Sequence, residues 1–487
     1  MITDHRNRRG PLLCLCCYSV DSRHSYVDHA ENTASTSIPC IFQPFDPAFQ
    51  RPDRRIFTIM ADVDFLSLTI PDHMRSTTFP DQNVSVPSLL LLRLPSQTVA
   101  DPPPLHEYFS KDDPHHESPY PYHLCTHTIP TPGVVQCLLN EAPCAKAAGA
   151  RSIRYAHTDA EQRPPFWVLT FWLEVHALLN SQRKWSRAET FLTKRESNLV
   201  ACTFRASLDR LCWSDSTRGF SDFAPIHDLA NFASREWLSD TNLNMMLDII
   251  DGAGKDAVSN HVFQQTYFVA VLLIAYQERA KGTYLSSRET QCLRTAADGL
   301  FQGCYETLGF PCNINGNHWT ALVVSATDHK VRYRDSLGAA VPDSLKDAVN
   351  WWLSHHTHTP LDWDTLDITS QEDPYSCGLF AINALSHYIL PSKFPLLSPL
   401  LHDTDTARVH FGNMIIERHV SLSIRVSITF LCLISACFAA VRACTSRVSV
   451  DAKTAVAAII ATGTGITVTI TITVTATFSS TFSCTTH

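Results

Sequence analysis

Of the 28 prolines in this 487-residue chain, 17 lie in the first 134 residues. Proline fixes φ and lacks the N–H that a helix or a sheet ladder needs, so a stretch broken every few residues cannot sustain long regular elements. Residues 1–144, with Pro102-Pro103-Pro104 among them, are therefore expected to be largely disordered. Their one apolar run, Leu89 to Leu94, reads as too short and too isolated to nucleate a domain. The other end is equally unusual: no Asp, Glu, Lys or Arg follows Lys453, and 15 of the last 34 residues are Ser or Thr. The length would allow roughly three domains. The uneven composition leaves the middle of the chain as the place for a well-packed core.

Net charge is −8, from 39 Lys+Arg against 47 Asp+Glu, so no global positive field exists to attract phosphate backbones. Nucleic acid is disfavoured as the main partner. The 17 cysteines are odd in number and follow no repeating spacing, which reads as free thiols in a reducing compartment, nucleus or cytoplasm. Arg6, Arg8 and Arg9 before Pro11–Cys17 faintly resemble a signal peptide, but Ser22-Arg23-His24 offers no small-residue cleavage site. Cys125, His127, Cys137 and Cys144, with His123 nearby, lack the paired C-x-x-C spacing of structural zinc sites. No metal and no cofactor is expected.

From Pro164 to Phe191 apolar residues recur at helical spacing, and two prolines suit a first turn. Such a stripe reads as the core-facing helix of a small accessory region, placed at 145–215. Residues 220–418 read as a mixed α/β domain. Ala233 to Ile250 is a helix entry that Ser239 or Asp240 can cap, and Val258 to Tyr276 reads as a second helix. Asn317–Ser325 and Lys330–Asp335 are β-rich runs joined by a four-residue polar turn, a hairpin signal. Leu366–Thr369 reads as a further strand, and Gly378–Leu390 as a helix.

Four polar residues in this region stand where catalysis could use them: His318, Asp335, Gln371 and Cys377. An even-numbered turn sets position 320 opposite 335, so His318 and Asp335 lie diagonally on one face, a carboxylate within reach of an imidazole. Such a carboxylate fixes the imidazole tautomer, as the third member of a nucleophile–base–orienter triad does. Cys377 opens a predicted helix, where the macrodipole and a nearby imidazolium favour thiolate. Gly378 removes bulk beside the sulfur, while Gln371, read as ending a strand, and the Cys377 N–H could donate to an oxyanion. Each residue has a bland reading: a small buried hydrophobe for the cysteine, a strand-edge histidine, a turn cap for the aspartate. The argument rests on their joint order.

His318-Trp319, Asp335-Ser336-Leu337, Gln371 and Ser376-Cys377-Gly378-Leu379-Phe380 resemble the signature of the ubiquitin-like-protein-specific cysteine proteases, the SUMO or sentrin proteases. Arg235-Glu236-Trp237-Leu238-Ser239-Asp240-Thr241 resembles that family's substrate motif, and the likeness covers 220–418. The resemblance implies an α+β fold of the papain-like/adenain-like type, a central mixed sheet flanked by helices. It implies Cys377 as nucleophile, His318 as base, Asp335 as orienter and Gln371 in the oxyanion hole. Trp237 and Trp319 match tryptophans that roof a channel for a diglycine tail, with Gly378 beside it, and Asp240 matches a contact to a basic residue of the modifier. Two flat rings leave room only for residues without side chains. Ser376 stands where the family often carries Asp, and Pro374 constrains the loop leading to Cys377.

The activity implied is cysteine isopeptidase or endopeptidase cleavage after the C-terminal diglycine of a SUMO-like modifier, in deconjugation or precursor processing. The alternative is a catalytically weak modifier-binding adaptor, of mobile-element origin. The tail, 419–487, holds an uncharged 16-residue run, Val426–Val441, short of the roughly 20 needed to span a bilayer. Ile466, Val468, Ile470, Ile472 and Val474 then alternate with Thr as in a strand. The tail reads as a non-native extension in preference to a membrane anchor.

Overall fold

The computed structural model describes residues 66–72, 75, 79–95, 103–114, 128–154, 163–254, 260–423, 455–461 and 468–474. The chain divides into two units, Met1–Ile415 and Ile416–His487. In the first, α1 (Val86–Leu90) is followed by β1 (Phe109–Ser110), α2 (Pro132–Ala147), β2 (Ser152–Ile153), α3 (Trp167–Thr193) and α4 (Leu199–Ser207). Pro132 sits in the first turn of α2, where its missing N–H costs nothing. Val135, Leu138 and Ala142 of α2 pack with Trp167, Phe171, Trp172 and Val175 of α3 in one buried cluster. This helix runs through the 144/145 boundary drawn from composition.

The Leu89 to Leu94 run is not isolated. Val86 and Leu89 are fully buried, and Gln182 of α3 donates to the carbonyls of Leu89 and Leu92 at 3.0 and 2.8 Å. The partner lies some ninety positions away in sequence, beyond the reach of a local reading. α3 also packs on a 3-10 helix, Ile226–Ala233, tied by Lys184–Asp228 at 2.7 Å and by Arg187 to Glu236.

α5 (Asp240–Gly254) then leads into a five-stranded sheet ordered β3 (His261–Phe263), β4 (Thr307–Ile314), β5 (His318–Ser325), β6 (Lys330–Arg334), β7 (Asp362–Thr365). The outer pairs are parallel and the inner pairs antiparallel, so the sheet is mixed. Alternate residues of the inner strands, Leu308, Phe310, Cys312, Leu322 and Val324, meet α6 (Tyr267–Gln277), α7 (Gln291–Phe301) and α8 (Asp343–Ser354) in a second cluster. α9 (Cys377–Ile389) packs on β4, β5 and α5, and is buried at every position from Cys377 to Ser386. A Cβ on Gly309 would stand 3.3 Å from Leu385 of α9, so the glycine permits a close helix–strand approach. Pro311 interrupts β4 only beyond the end of β3, which pairs with 307–309, so no ladder bond is lost on that side. Residues 401–423 are helical and form α10.

Three elements differ from the sequence reading. The second helix does not begin at Val258: His261–Phe263 pair with Thr307–Gly309 as β3, and α6 starts at Tyr267. The β-branched and aromatic pair Val262-Phe263 is claimed by the sheet edge. The further strand is Asp362–Thr365, with Leu366 buried just past its end. As an edge strand it is largely exposed and polar, so its apolar neighbours gave the stronger signal. The first helix begins at Asp240, where its cap was expected, and the residues from 234 to 239 that lead into it are not helical.

In the second unit β8 (Ala455–Ala461) and β9 (Val468–Val474) pair antiparallel, from Ala455↔Val474 to Ala461↔Val468. Val426–Val441, Cys125, His127 and His123 lie outside the described residues. Among the described residues no helix is long and apolar enough to cross a membrane, and the eight described cysteines are free.

Candidate active site

An Asn315-Gly316 turn with positive φ at both residues, 54° and 74°, reverses the chain between β4 and β5, and His318 is the first residue after it in β5. The next hairpin pairs Ser325↔Lys330 and Ala321↔Arg334; one step further, Thr320 comes opposite Asp335. His318 is then diagonal to Asp335, and its Nε2 donates to Asp335 Oδ1 at 2.7 Å. The same oxygen accepts the Leu337 N–H at 2.7 Å, which fixes the buried carboxylate. With Nε2 committed, Nδ1 is the ring nitrogen left for the thiol.

Cys377 opens α9 and is 2 % exposed. Its approach is organised by Asp373, whose Oδ1 accepts the N–H groups of Tyr375 and Ser376 at 2.8 and 2.7 Å. Asp373 is thus a turn residue, whose side chain bonds the backbone just ahead of the helix. The Pro374 carbonyl accepts the Trp237 indole N–H at 3.0 Å, which holds the Trp237 ring against the turn leading into Cys377.

His318 is pushed up to about 9. The largest cause is its hydrogen bond with the Cys377 side chain; burial works against it, and the Asp335 bond and the charges of both partners reinforce it. An imidazole held this way keeps its proton at neutral pH and faces the thiol as a cation.

Gln371 does not end a strand. It lies in the loop after β7, where its N–H donates to the Ser336 carbonyl at 2.8 Å and its Oε1 accepts the Ser336 hydroxyl at 2.8 Å. Its Nε2 donates to the Asp373 carbonyl, which ties it to the turn leading into Cys377. Ser336 follows Asp335, so one dipeptide bonds both His318 and the glutamine.

Trp319 is buried, and its indole N–H donates to the Leu238 carbonyl at 3.2 Å, whereas Trp237 is 48 % exposed. A Cβ on Gly378 would stand 3.3 Å from Trp319 Cδ1 and 3.0 Å from Leu243 Cδ1. Asp240 is exposed at the start of α5. Asn242 anchors that start: its N–H donates to Ser239 Oγ at 3.3 Å, its amide donates to the Asp228 carbonyl, and its Oδ1 accepts from Asn231 and Ser239. His318, Asp335 and Cys377 therefore meet, Gln371 is bonded beside them, Gly378 and Trp319 are in contact, and Trp237 closes on Pro374.

Sequence reasoning read Asp373 as a turn residue, which it is, but missed Ser336, Asn242 and Arg408 as supports. Arg408 had a readable signal: Thr404, Arg408, Phe411 and Ile415 share one helical stripe, and all four are buried. A cation in an apolar stripe demands partners. Among the described residues no group of three or more His, Cys, Asp or Glu is arranged to hold a metal ion.

A sequence model of the Ulp1 protease family, C-terminal catalytic domain, matches residues 236–410. No curated protein matches the chain in sequence. Among solved structures, the chain is similar to the SUMO protease Ulp1 with its catalytic cysteine oxidized to a sulfenic acid, at 16% identity over 45% of this chain and 95% of that one, TM-score 0.35. It is similar at 16% identity, over 45% and 96%, to the Ulp1 C-terminal protease domain in complex with Smt3, the yeast ortholog of SUMO, TM-score 0.33. The Xanthomonas campestris effector XopD bound to ubiquitin matches at 21% identity, over 36% and 90%, TM-score 0.25. The match to the catalytic-domain model of the Ulp1 cysteine protease family thus falls on the residues that carry the mixed sheet flanked by helices.

Proposed function

We propose that this protein is a cysteine isopeptidase that cleaves after the C-terminal diglycine of a SUMO-like modifier. The observation that carries the reading is the joint engagement of His318 with Asp335 and Cys377 at the N-terminus of α9. In this reading the Cys377 thiolate attacks the terminal glycine carbonyl. The Cys377 N–H and Gln371 amide stabilise the oxyanion. His318, oriented by Asp335, gives its proton to the departing lysine amine, and water activated by the same imidazole hydrolyses the thioester. Trp237 and Trp319 form the walls of the diglycine channel, Gly378 keeps its floor low, and Asp240 meets a basic residue of the modifier. The catalytic region spans 220–418, and its work lies where modifier conjugates are, in the nucleus or cytoplasm.

A second reading, modifier capture without turnover, draws on two observations: the Gln371 amide donates to the Asp373 carbonyl, and Ser376 leaves its buried Oγ without a partner among the described residues. The full-length protein incubated with C-terminal fluorophore conjugates of SUMO and of ubiquitin decides between them. Release of fluorophore from SUMO that vanishes in Cys377→Ala supports the protease. Binding by titration, with neither release nor trapping of Cys377 by a modifier vinyl sulfone, favours capture. Neither binding nor release sinks both.

A further inference from the structure

Arg408, on α10, is 0% exposed, an exceptional position for a guanidinium. A buried arginine needs its donors met; here both Nη atoms reach backbone carbonyls, while Nε finds no partner among the described residues. Nη2 donates to the Asn231 carbonyl at 2.9 Å and to the Glu236 carbonyl; Nη1 reaches toward the Tyr375 carbonyl at 3.5 Å. Asn231 and Glu236 belong to the segment entering Trp237, and Tyr375 to the turn entering Cys377. The guanidinium also stands 5.5 Å from the centre of the Tyr375 ring. Trp237 closes the same two segments on one another through Pro374. They are thus tied twice, by the indole and by the arginine.

We propose that Arg408 is a positioning residue of the site, holding the Trp237 segment and the nucleophile turn at fixed separation and setting a positive charge behind Cys377; this rests on the nucleophile role given to Cys377 above. The groups that face the guanidinium are Tyr375, Asp405, Asp373 and Cys377. Asp405 spends one oxygen on Arg195 and Arg235, and among the described residues Arg408 has no carboxylate in direct contact. Burial pushes Arg408 down to about 10, so it stays charged at neutral pH, and its charge and a Cys377 thiolate stabilise one another. His318, backed by Asp335, also engages Cys377. Ser376 between them is uncharged.

The test uses the full-length protein and two readouts: the pH midpoint of Cys377 alkylation by iodoacetamide, followed on the Cys377 peptide by mass spectrometry, and kcat and KM on a SUMO–fluorophore conjugate. A charge lost behind the thiol in a partly desolvated site raises the midpoint by about one pH unit in Arg408→Met or Arg408→Gln. Arg408→Lys retains the charge but not the planar fork, so its midpoint stays while kcat falls about tenfold with KM little changed. A folded Arg408→Met or Arg408→Gln with the wild-type midpoint overturns the proposal. So does Arg408→Lys with wild-type kcat, which decides the matter if the neutral variants fail to fold. If the wild type cuts no conjugate, the proposed function falls while the alkylation midpoint still tests the charge.

Discussion

Gly378→Ala places a methyl group 3.0 Å from Leu243 Cδ1, 3.3 Å from Trp319 Cδ1 and 3.5 Å from Leu238 Cβ. Trp319 is held by its bond to the Leu238 carbonyl, so the fully buried Leu243 side chain must give way. Overpacking of this kind costs about 1–3 kcal/mol, while alanine in a helix gains about 1 kcal/mol over glycine. The net loss is about 0–2 kcal/mol, a fall in Tm of a few degrees at roughly 2–4 °C per kcal/mol. Activity should suffer more. Trp319 adjoins His318 in β5, and a displacement approaching 1 Å at a reacting group can cost on the order of a hundredfold in rate. Thermal melts and conjugate turnover would be compared for wild type, Gly378→Ala, Leu243→Val and the double variant. Leu243→Val shortens the crowded side chain, so the double variant should recover both readouts, with a coupling of about 1 kcal/mol. A Gly378→Ala enzyme as stable and active as wild type, or a double variant no better than the sum of the singles, refutes the packing argument.

Other consequences can be checked with standard measurements. Because His318 is held at about 9, above the ~6.5 of free imidazole, its stabilising effect is complete below about pH 6.5 and is lost as pH rises through about 9. Asp335→Asn removes one of the raising causes, so the alkaline limb of turnover should move to lower pH; an unmoved limb argues against the His318–Asp335 pairing. Trp237→Ala loses one exposed-ring hydrogen bond and a channel wall, so KM should rise several-fold with Tm within about 2 °C, and an unchanged KM would exclude it as a wall. The fragment 220–418 uncovers Ile226, Leu229 and Phe232, on the 3-10 helix against which α3 packs, and should melt several degrees below a 163–418 fragment; equal melting points would mean that α3 contributes no stability. Cys312, fully buried with its thiol pushed up by burial, should resist iodoacetamide until the protein unfolds, and native labelling there would contradict its burial.

What could be read from the chain was what chemistry writes locally. The even-numbered turn between β5 and β6 set the diagonal of His318 and Asp335 before any coordinates, because a strand's side chains alternate with period two. Cys377 at a helix start was legible for the same local reason. The parallel edges were not: β3 pairs with β4 across more than forty intervening positions, and an exposed strand such as Asp362–Thr365 has no apolar alternation to betray it. Nor were the supports of the site. Gln371 depends on Ser336, Trp319 on the Leu238 carbonyl, and Arg408 on three carbonyls, and no residue type announces an intention to offer its backbone. The α1 and α2 segments show the converse, since proline frequency counts interruptions but says nothing about a distant helix such as α3 that can receive the pieces between them.

The division of the site between a hairpin and a later helix carries a kinetic meaning. His318 and Asp335 come from neighbouring strands 17 positions apart, and Asp373 shapes the Cys377 turn through bonds two and three positions long. Each half can form early and on its own, at small loop-closure cost. Only the settling of α9 onto β4 and β5 brings sulfur and imidazole together, and that contact is late and non-local. In the chain, Asp335 precedes Cys377 by 42 positions, so both members of the His–Asp half are synthesised before the cysteine. Sulfur and imidazole therefore become partners only once α9 has docked, and their pairing reports that the two halves of the site have met.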